Sequence, residues 1–330
     1  MPTKPNDSFI DRDRSKEEAK KIIDLAAPVL QEMVNYGSQL VSSCIPEKKV
    51  KYAHLSILLA YMHVLEMLDA VEVLISNACF GSAIPTVRSA FEGLLSLEYL
   101  TSNDTERRSR CYEFFHFRSE LKECSKLDPK TEEGKKLLKA YQNDKFLRNR
   151  SIALPENLQT RLPDLIASYE GKMNDSRFVD IRAELNRTIK NKKKNKKYPY
   201  WFTLFDGPGS IKELADHLNR SGQFENYGEW SGVSHAAPAH SRFTVMGKDD
   251  IYIKPFRCCD WTSALQMSTA IMNIAAIALS ATEIFTKALR PDEIANFENW
   301  RTKEIKPNLV KLIRMENNPL EPIIASEQKP

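Results

Sequence analysis

Apolar residues recur at intervals of three and four over most of this chain, which predicts helices and very little sheet. Ile22, Ala26, Val29, Leu30, Met33 and Leu40 make a first stripe, opened by Ser15 with Glu18 as a capping box. Pro28 falls inside it and is expected to kink or divide the helix. A second helix is expected over 50–78, with Leu55, Leu58, Leu59, Met62, Leu65, Leu68 and Leu74 apolar. Gly81 and Ser82 should break it, and Pro85 then stands near the start of a third helix over 84–100. Asn103 with Glu106 offers a second capping box, for a fourth helix bearing Tyr112, Phe114, Phe115 and Phe117.

From 128 to 198 the chain turns more polar, with helical pieces expected near 135–146, 162–169 and 178–189; this stretch reads as an inserted helical arm. Gly207 to Gly209 form a turn, and Ser210 with Glu213 caps a short helix ending near Arg220. The segments 242–246 and 251–255 flank Gly247, Lys248, Asp249 and Asp250, the pattern of a small hairpin. A helix over 258–289 follows, uncharged from Trp261 to Thr282 but carrying Ser263, Gln266, Thr269 and Asn273. It is expected as a buried central helix, not a membrane span. Pro291 opens a last amphipathic helix to about Met315.

The expected fold is all-α: a multi-helix bundle with a helical insertion and one small β-hairpin. Its expected parts are a flexible start (1–14), a first bundle part (15–127), the insertion (128–198), a second bundle part (199–315) and a flexible tail (316–330).

Composition sharpens this little. Hydrophobic residues are 42% and charged residues 28%, ordinary for a globular chain, while only 11 glycines favour helix. A net charge of +4 does not by itself imply a nucleic-acid partner. Its distribution does more, because Arg187, Lys190, Lys192, Lys193, Lys194, Lys196 and Lys197 form a run without one acidic residue. Tyr198, Tyr200, Trp201 and Phe202 follow, so the run is a candidate nucleic-acid contact, or else a solvated loop leading into core aromatics. Six cysteines form no C-x-x-C pair, and the N-terminus lacks an apolar signal core, which together point to free thiols in the cytoplasm. No H-E-x-x-H pattern occurs, and neither metal nor cofactor is expected.

The candidate chemistry sits in two helices far apart in sequence. Tyr227, Ser231 and His235 are spaced four and four, so they project from one helix face. Arg88 and Glu92 share that spacing inside an otherwise apolar helix, where charged groups require partners. The stripe can supply them, forming either a structural network between two helices or a reactive centre around a bound anion. A serine hydrolase is not indicated, since no G-x-S-x-G turn is present. Arg110 and His116, on the aromatic fourth helix, are a second candidate pair; six residues apart, they do not share a face.

On the Arg-x3-Glu helix (Arg88, Glu92) and the Tyr…Ser-x3-His helix (Tyr227, Ser231, His235), the chain resembles a bacterial family of uncharacterised all-helical proteins. That family is similar to the HEPN group (higher eukaryote and prokaryote nucleotide-binding). The resemblance covers about 50–289, less the insertion. It implies a protein that binds or cleaves RNA or a nucleotide without metal, as an antiphage or toxin effector, either dimeric or beside a cognate partner. In HEPN ribonucleases an Arg and a His four to six residues apart carry the chemistry, and Arg110 with His116 match that spacing. By the same resemblance the His would take the 2′-hydroxyl proton and the Arg would stabilise charge on the phosphate. The alternative is a non-catalytic sensor or interaction module whose polar cluster is structural.

Overall fold

The computed structural model describes residues 12–45, 52–148, 156–191, 199–234, 243–246, 250–253 and 261–317. They divide into two compact units, one built from 1–103 and 214–330, the other from 104–213.

The first unit is organised around α3 (Phe80–Ser102) and α10 (Trp261–Leu289), which pack on each other and on α2 (Tyr52–Ser76), while α1 (Arg12–Cys44) packs on α2 and α10. Each contributes an apolar stripe at helical spacing: Val64, Leu68, Val71 and Ile75 from α2, Val87, Phe91 and Leu94 from α3, Ile274, Ala278 and Phe285 from α10. Tyr61 stacks on Phe285 at 4.2 Å and shares a 2.9 Å hydrogen bond with Thr282, so its buried phenol is satisfied. By length and composition Ser268–Leu289 could cross a membrane, and more than half of its most apolar stretch is buried.

The second unit holds α4 (Thr105–Leu127), α5 (Glu132–Asn143), α6 (Glu156–Met173) and α7 (Val179–Asn191). Cys111, Phe114, Phe178, Ile181, Leu185 and Leu204 form its core, with Phe115, Phe117 and Trp201 packed against them. The aromatics of α4 thus have an apolar destination of their own. The unit contains the polar stretch 128–198 and extends on both sides of it.

The expected hairpin requires correction. The fold is all-α, with no β layer among the described residues. Only the backbone of Phe243–Met246 pairs antiparallel with Asp250–Ile253. With no third strand beside it among the described residues, this two-stranded ladder is no architectural component.

Several helix ends also differ from the sequence reading. Pro28 neither divides nor ends α1, which runs unbroken through it. Pro28 is exposed, so the carbonyl deprived of its donor faces water, while Ile22, Ala26, Val29 and Leu30 hold both halves to the core. Ser15 is a buried residue inside the first turns and not a cap, and Glu18 pairs with Arg14 at 2.7 Å. The break after α2 comes at Ala78 (φ 54°), before Gly81, because the Cys79 amide donates back to the Leu74 carbonyl at 2.7 Å and closes the helix end. Asn103 is the C-cap of α3, and the position before α4 is taken by Asp104, left-handed and without a side-chain cap. Ser210 does cap α8 (Ile211–His217), accepting from the Glu213 amide at 3.1 Å. After α9 (Ser221–Ser234) and α10, the last helical run is α11 (Ile294–Trp300) and α12 (Lys306–Asn317), joined by a π turn over Arg301–Ile305.

Candidate functional site

Four of the singled-out residues meet where α9 lies on α3. The helices run antiparallel: Arg220, just before α9, pairs with Glu98 at 2.8 Å, and about three turns further on Ser231 reaches Arg88. Arg88 donates from Nε to Glu92 Oε1 (3.2 Å), from Nη1 to Ser231 Oγ (3.1 Å) and from Nη2 to the Tyr227 hydroxyl (2.7 Å). Tyr227 in turn donates to the same Glu92 oxygen at 2.5 Å. Arginine, glutamate and tyrosine therefore close a ring of hydrogen bonds, with serine as a fourth anchor.

Aromatic packing fixes the ring in place. Trp230 is buried and meets Phe91 in a T-shaped contact at 5.7 Å, which sets the rotation of α9 and aims Tyr227 and Ser231 at Arg88. Phe224 stacks on Tyr227 at 4.9 Å, and the Arg88 guanidinium also lies over the Tyr227 ring, 4.6 Å from its centroid.

The electrostatics follow. Burial works against the Arg88 cation, but the Tyr227 and Glu92 acceptors outweigh it and hold its pKa above the ordinary arginine value. Burial, and then the Glu92 carboxylate that accepts its proton, pushes the Tyr227 phenol up to about 12. Tyr227 is thus a neutral hydrogen-bond donor at physiological pH, not a phenolate.

What the ring leaves open matters as much as what it closes. Arginine has five N–H donors, and three of those of Arg88 have partners among the described residues. Both bonds to Glu92 end on Oε1, leaving Oε2 without a partner among those residues. The Arg88 side chain is 29% exposed and that of Glu92 is 38% exposed, so both reach solvent. The arrangement can present two cationic donors and one carboxylate oxygen to the same ligand.

The other candidates stand elsewhere. His235 and Lys192, Lys193, Lys194, Lys196 and Lys197 lie outside the described residues. Arg110 belongs to the second unit, where it forks onto Asp180 at 2.9 and 3.0 Å and donates to the Arg177 carbonyl at 2.6 Å. Although burial raises the Asp180 pKa, Arg110 brings it below the usual range. His116 is exposed on α4 and is not joined to Arg110; an ion pair between helices accounts for that arginine. Arg187 is likewise engaged, gripping the buried Glu184 at 2.7 and 2.8 Å and Asp206 at 3.1 Å. Glu184 also accepts from the Phe205 amide at 3.1 Å, in a turn where Phe205 and Asp206 both have positive φ. Lys190 is exposed at the end of α7.

Two neighbours went unnoticed in the sequence. His63 of α2 places Nε2 3.2 Å from the Ser89 hydroxyl, beside Arg88 on α3. Gly93 permits this approach, since a Cβ there would stand 2.9 Å from His63 Cδ2. A histidine in a leucine-rich helix carries no mark of its partner 26 positions away. Among the described residues, no group of three or more His, Cys, Asp or Glu side chains is placed to hold a metal ion.

A family model, described as a family of unknown function (DUF5677), matches residues 54–252, more than half of the chain, and the chain belongs to that family. No curated protein and no solved structure matches it.

Proposed function

We propose that this member of the family binds RNA at the α3–α9 site and cleaves it without metal, as many of the HEPN proteins that it resembles do. One observation carries the reading. Beside the closed ring, two Arg88 donors and Glu92 Oε2 have no partner among the described residues, at side chains that solvent reaches.

In this mechanism Arg88 holds a phosphodiester through charge-assisted hydrogen bonds and stabilises the charge that builds on phosphorus. Glu92 Oε2 takes the proton of the adjacent 2′-hydroxyl, and that oxygen attacks phosphorus. The P–O2′ bond forms as the P–O5′ bond breaks, and the departing oxygen takes a proton from water, leaving a 2′,3′-cyclic phosphate and a 5′-hydroxyl. Tyr227 and Ser231 keep the guanidinium oriented. Such a reaction suits an effector of antiphage defence or a toxin with a cognate partner.

Labelled tRNA incubated with the full chain in EDTA tests this. Wild type is expected to release cyclic-phosphate ends, and Arg88→Ala or Glu92→Gln to lose about 10²-fold or more. His116→Ala is expected to keep its activity. No cleavage by wild type, or equal cleavage by all four proteins, ends the reading.

A second reading rests on a different observation: the Arg88 ring and the Arg220–Glu98 pair clamp α9 to α3 at two levels. The cluster would then be a structural clasp in a non-catalytic interaction module. It predicts an inactive wild type, and loss of thermal stability as the main consequence of Arg88→Ala.

A further inference from the structure

We infer that α9 is a latch on the candidate site. It unwinds from α3 as a local event, and docking or opening switches the Arg88–Glu92 centre between an oriented and an unoriented state. Its link to cleavage rests on the RNA reading above, while the latch itself rests on three observations of α9.

The first is composition. Ser221, Gly222, Asn226, Gly228, Ser231, Gly232 and Ser234 are half of the 14 residues of α9, which contains no Ala, Leu, Met, Lys or Arg. A glycine in place of alanine inside a helix shifts the balance toward coil by about four- to fivefold. Helices of this length are marginal alone even when built of good formers. Packing does not require the central glycine. At Gly93 in α3 a Cβ would stand 2.9 Å from His63 Cδ2, whereas at Gly228, which is exposed, a Cβ meets nothing within 4 Å. The backbone of Gly228 is helical, so no left-handed turn demands a glycine either. What Gly228 contributes is a weaker helix.

The second is how little holds α9. It packs on α3 and, among the described residues, on no other helix to a comparable extent. Trp230 is the one buried side chain over 221–232, while Ser221, Gly222, Glu225, Gly228 and Glu229 face solvent. α9 is therefore helical chiefly because it is docked, and leaving α3 and unwinding are one event.

The third is where the anchors lie. Just before α9, Arg220 donates to Glu98 at 2.8 Å and to Ser280 at 3.4 Å, which fixes that end. The rest is held by Trp230 on Phe91 and by Tyr227 and Ser231 on Arg88. Opening pivots at Arg220 and takes from Arg88 two of its three partners, leaving Glu92, which itself loses the Tyr227 proton. The guanidinium that the closed ring oriented is then free to turn. Docked, α9 aligns Arg88 for a phosphodiester; open, it admits substrate and releases product.

Amide hydrogen exchange on the full chain tests this. In the free protein, the amides of 225–232 are expected to exchange at least about tenfold faster than those of 87–95 in α3. Gly228→Ala is expected to slow the α9 amides about four- to fivefold. Equal rates in α9 and α3, or a Gly228→Ala rate equal to that of wild type, overturn the latch. A 2′-O-methyl RNA, which has no hydroxyl to attack with, then probes the link to the site, its binding followed by fluorescence anisotropy. Held at ten times its Kd, it is expected to slow the α9 amides about tenfold, because it binds the docked form. An RNA that binds without slowing them overturns the link. An RNA that does not bind overturns the RNA reading, while the latch stands or falls on the rates in the free protein.

Discussion

Replacing Gly93 with alanine tests the close approach of α2 to α3. In mid-helix, alanine is ordinarily favoured over glycine by about 0.5–1 kcal/mol. At 93, however, the new methyl would stand 2.9 Å from His63 Cδ2 and 3.0 Å from Val64 Cγ2. Carbon atoms in contact settle at about 3.5–4.0 Å, so both neighbours would have to give. Val64 is fully buried and cannot swing aside; His63 can move only by leaving Ser89. Overpacking of this kind costs about 1–3 kcal/mol, which exceeds the propensity gain. The expected net effect is a loss of about 1 kcal/mol, read as a lower urea midpoint by far-ultraviolet circular dichroism. Gly171 in α6 is the control, because nothing stands within 4 Å of a Cβ there, and Gly171→Ala should stabilise. Adding His63→Ala to Gly93→Ala should recover part of the loss, since the Cδ2 contact disappears while that with Val64 remains. The reasoning is refuted if Gly93→Ala raises the midpoint as Gly171→Ala does.

Two pH-dependent outcomes follow from the charge networks. Tyr227 should ionise near pH 12, later than an ordinary tyrosine, and Glu92→Gln should bring it down; phenolate absorbance measured against Tyr227→Phe decides this. Its folded pKa is raised, so the associated stability is full below about pH 10 and is lost as pH rises through about 12. In the second unit, the Arg187 hydrogen bonds, opposed by burial, hold the Glu184 carboxyl below its usual range. That stability is present above about pH 4.3 and is lost as pH falls through the depressed folded value. Glu184→Gln should therefore flatten the acid limb of the unfolding curve, and a limb as steep as that of wild type would exclude Glu184 as its source.

Much of the architecture was legible because helical periodicity is local. The stripe of α1, the apolar run of α10 and the pairing-ready faces at Arg88–Glu92 and Tyr227–Ser231 all follow from i, i+4 spacing. Reading went astray where local rules met tertiary context. Pro28 signals a break in any window, yet it lies on the solvent side of a helix whose other face is buried. Ser15 with Glu18 has the letters of a cap, but Arg14 takes the glutamate and the serine packs inward. The segments around Gly247 alternate like strands, but among the described residues they join no larger sheet.

Arg110 and Arg187 show the same limit at the level of charge. Sequence counts an arginine as a free cation, while the fold brings Asp180 to one and Glu184 with Asp206 to the other. His63 is the converse case, a residue without sequence context that the fold places beside Ser89 and Gly93.

By itself, then, the order of residues determined which side chains share a helix face, since 3.6 residues per turn is a property of the backbone. Which faces meet was decided only when buried apolar surfaces packed. Trp230 against Phe91 sets the turn of α9 and carries Tyr227 and Ser231 to an arginine 139 and 143 positions away. No sequence window contains that distance, because burial is a sum over surfaces from the whole chain and not over neighbours.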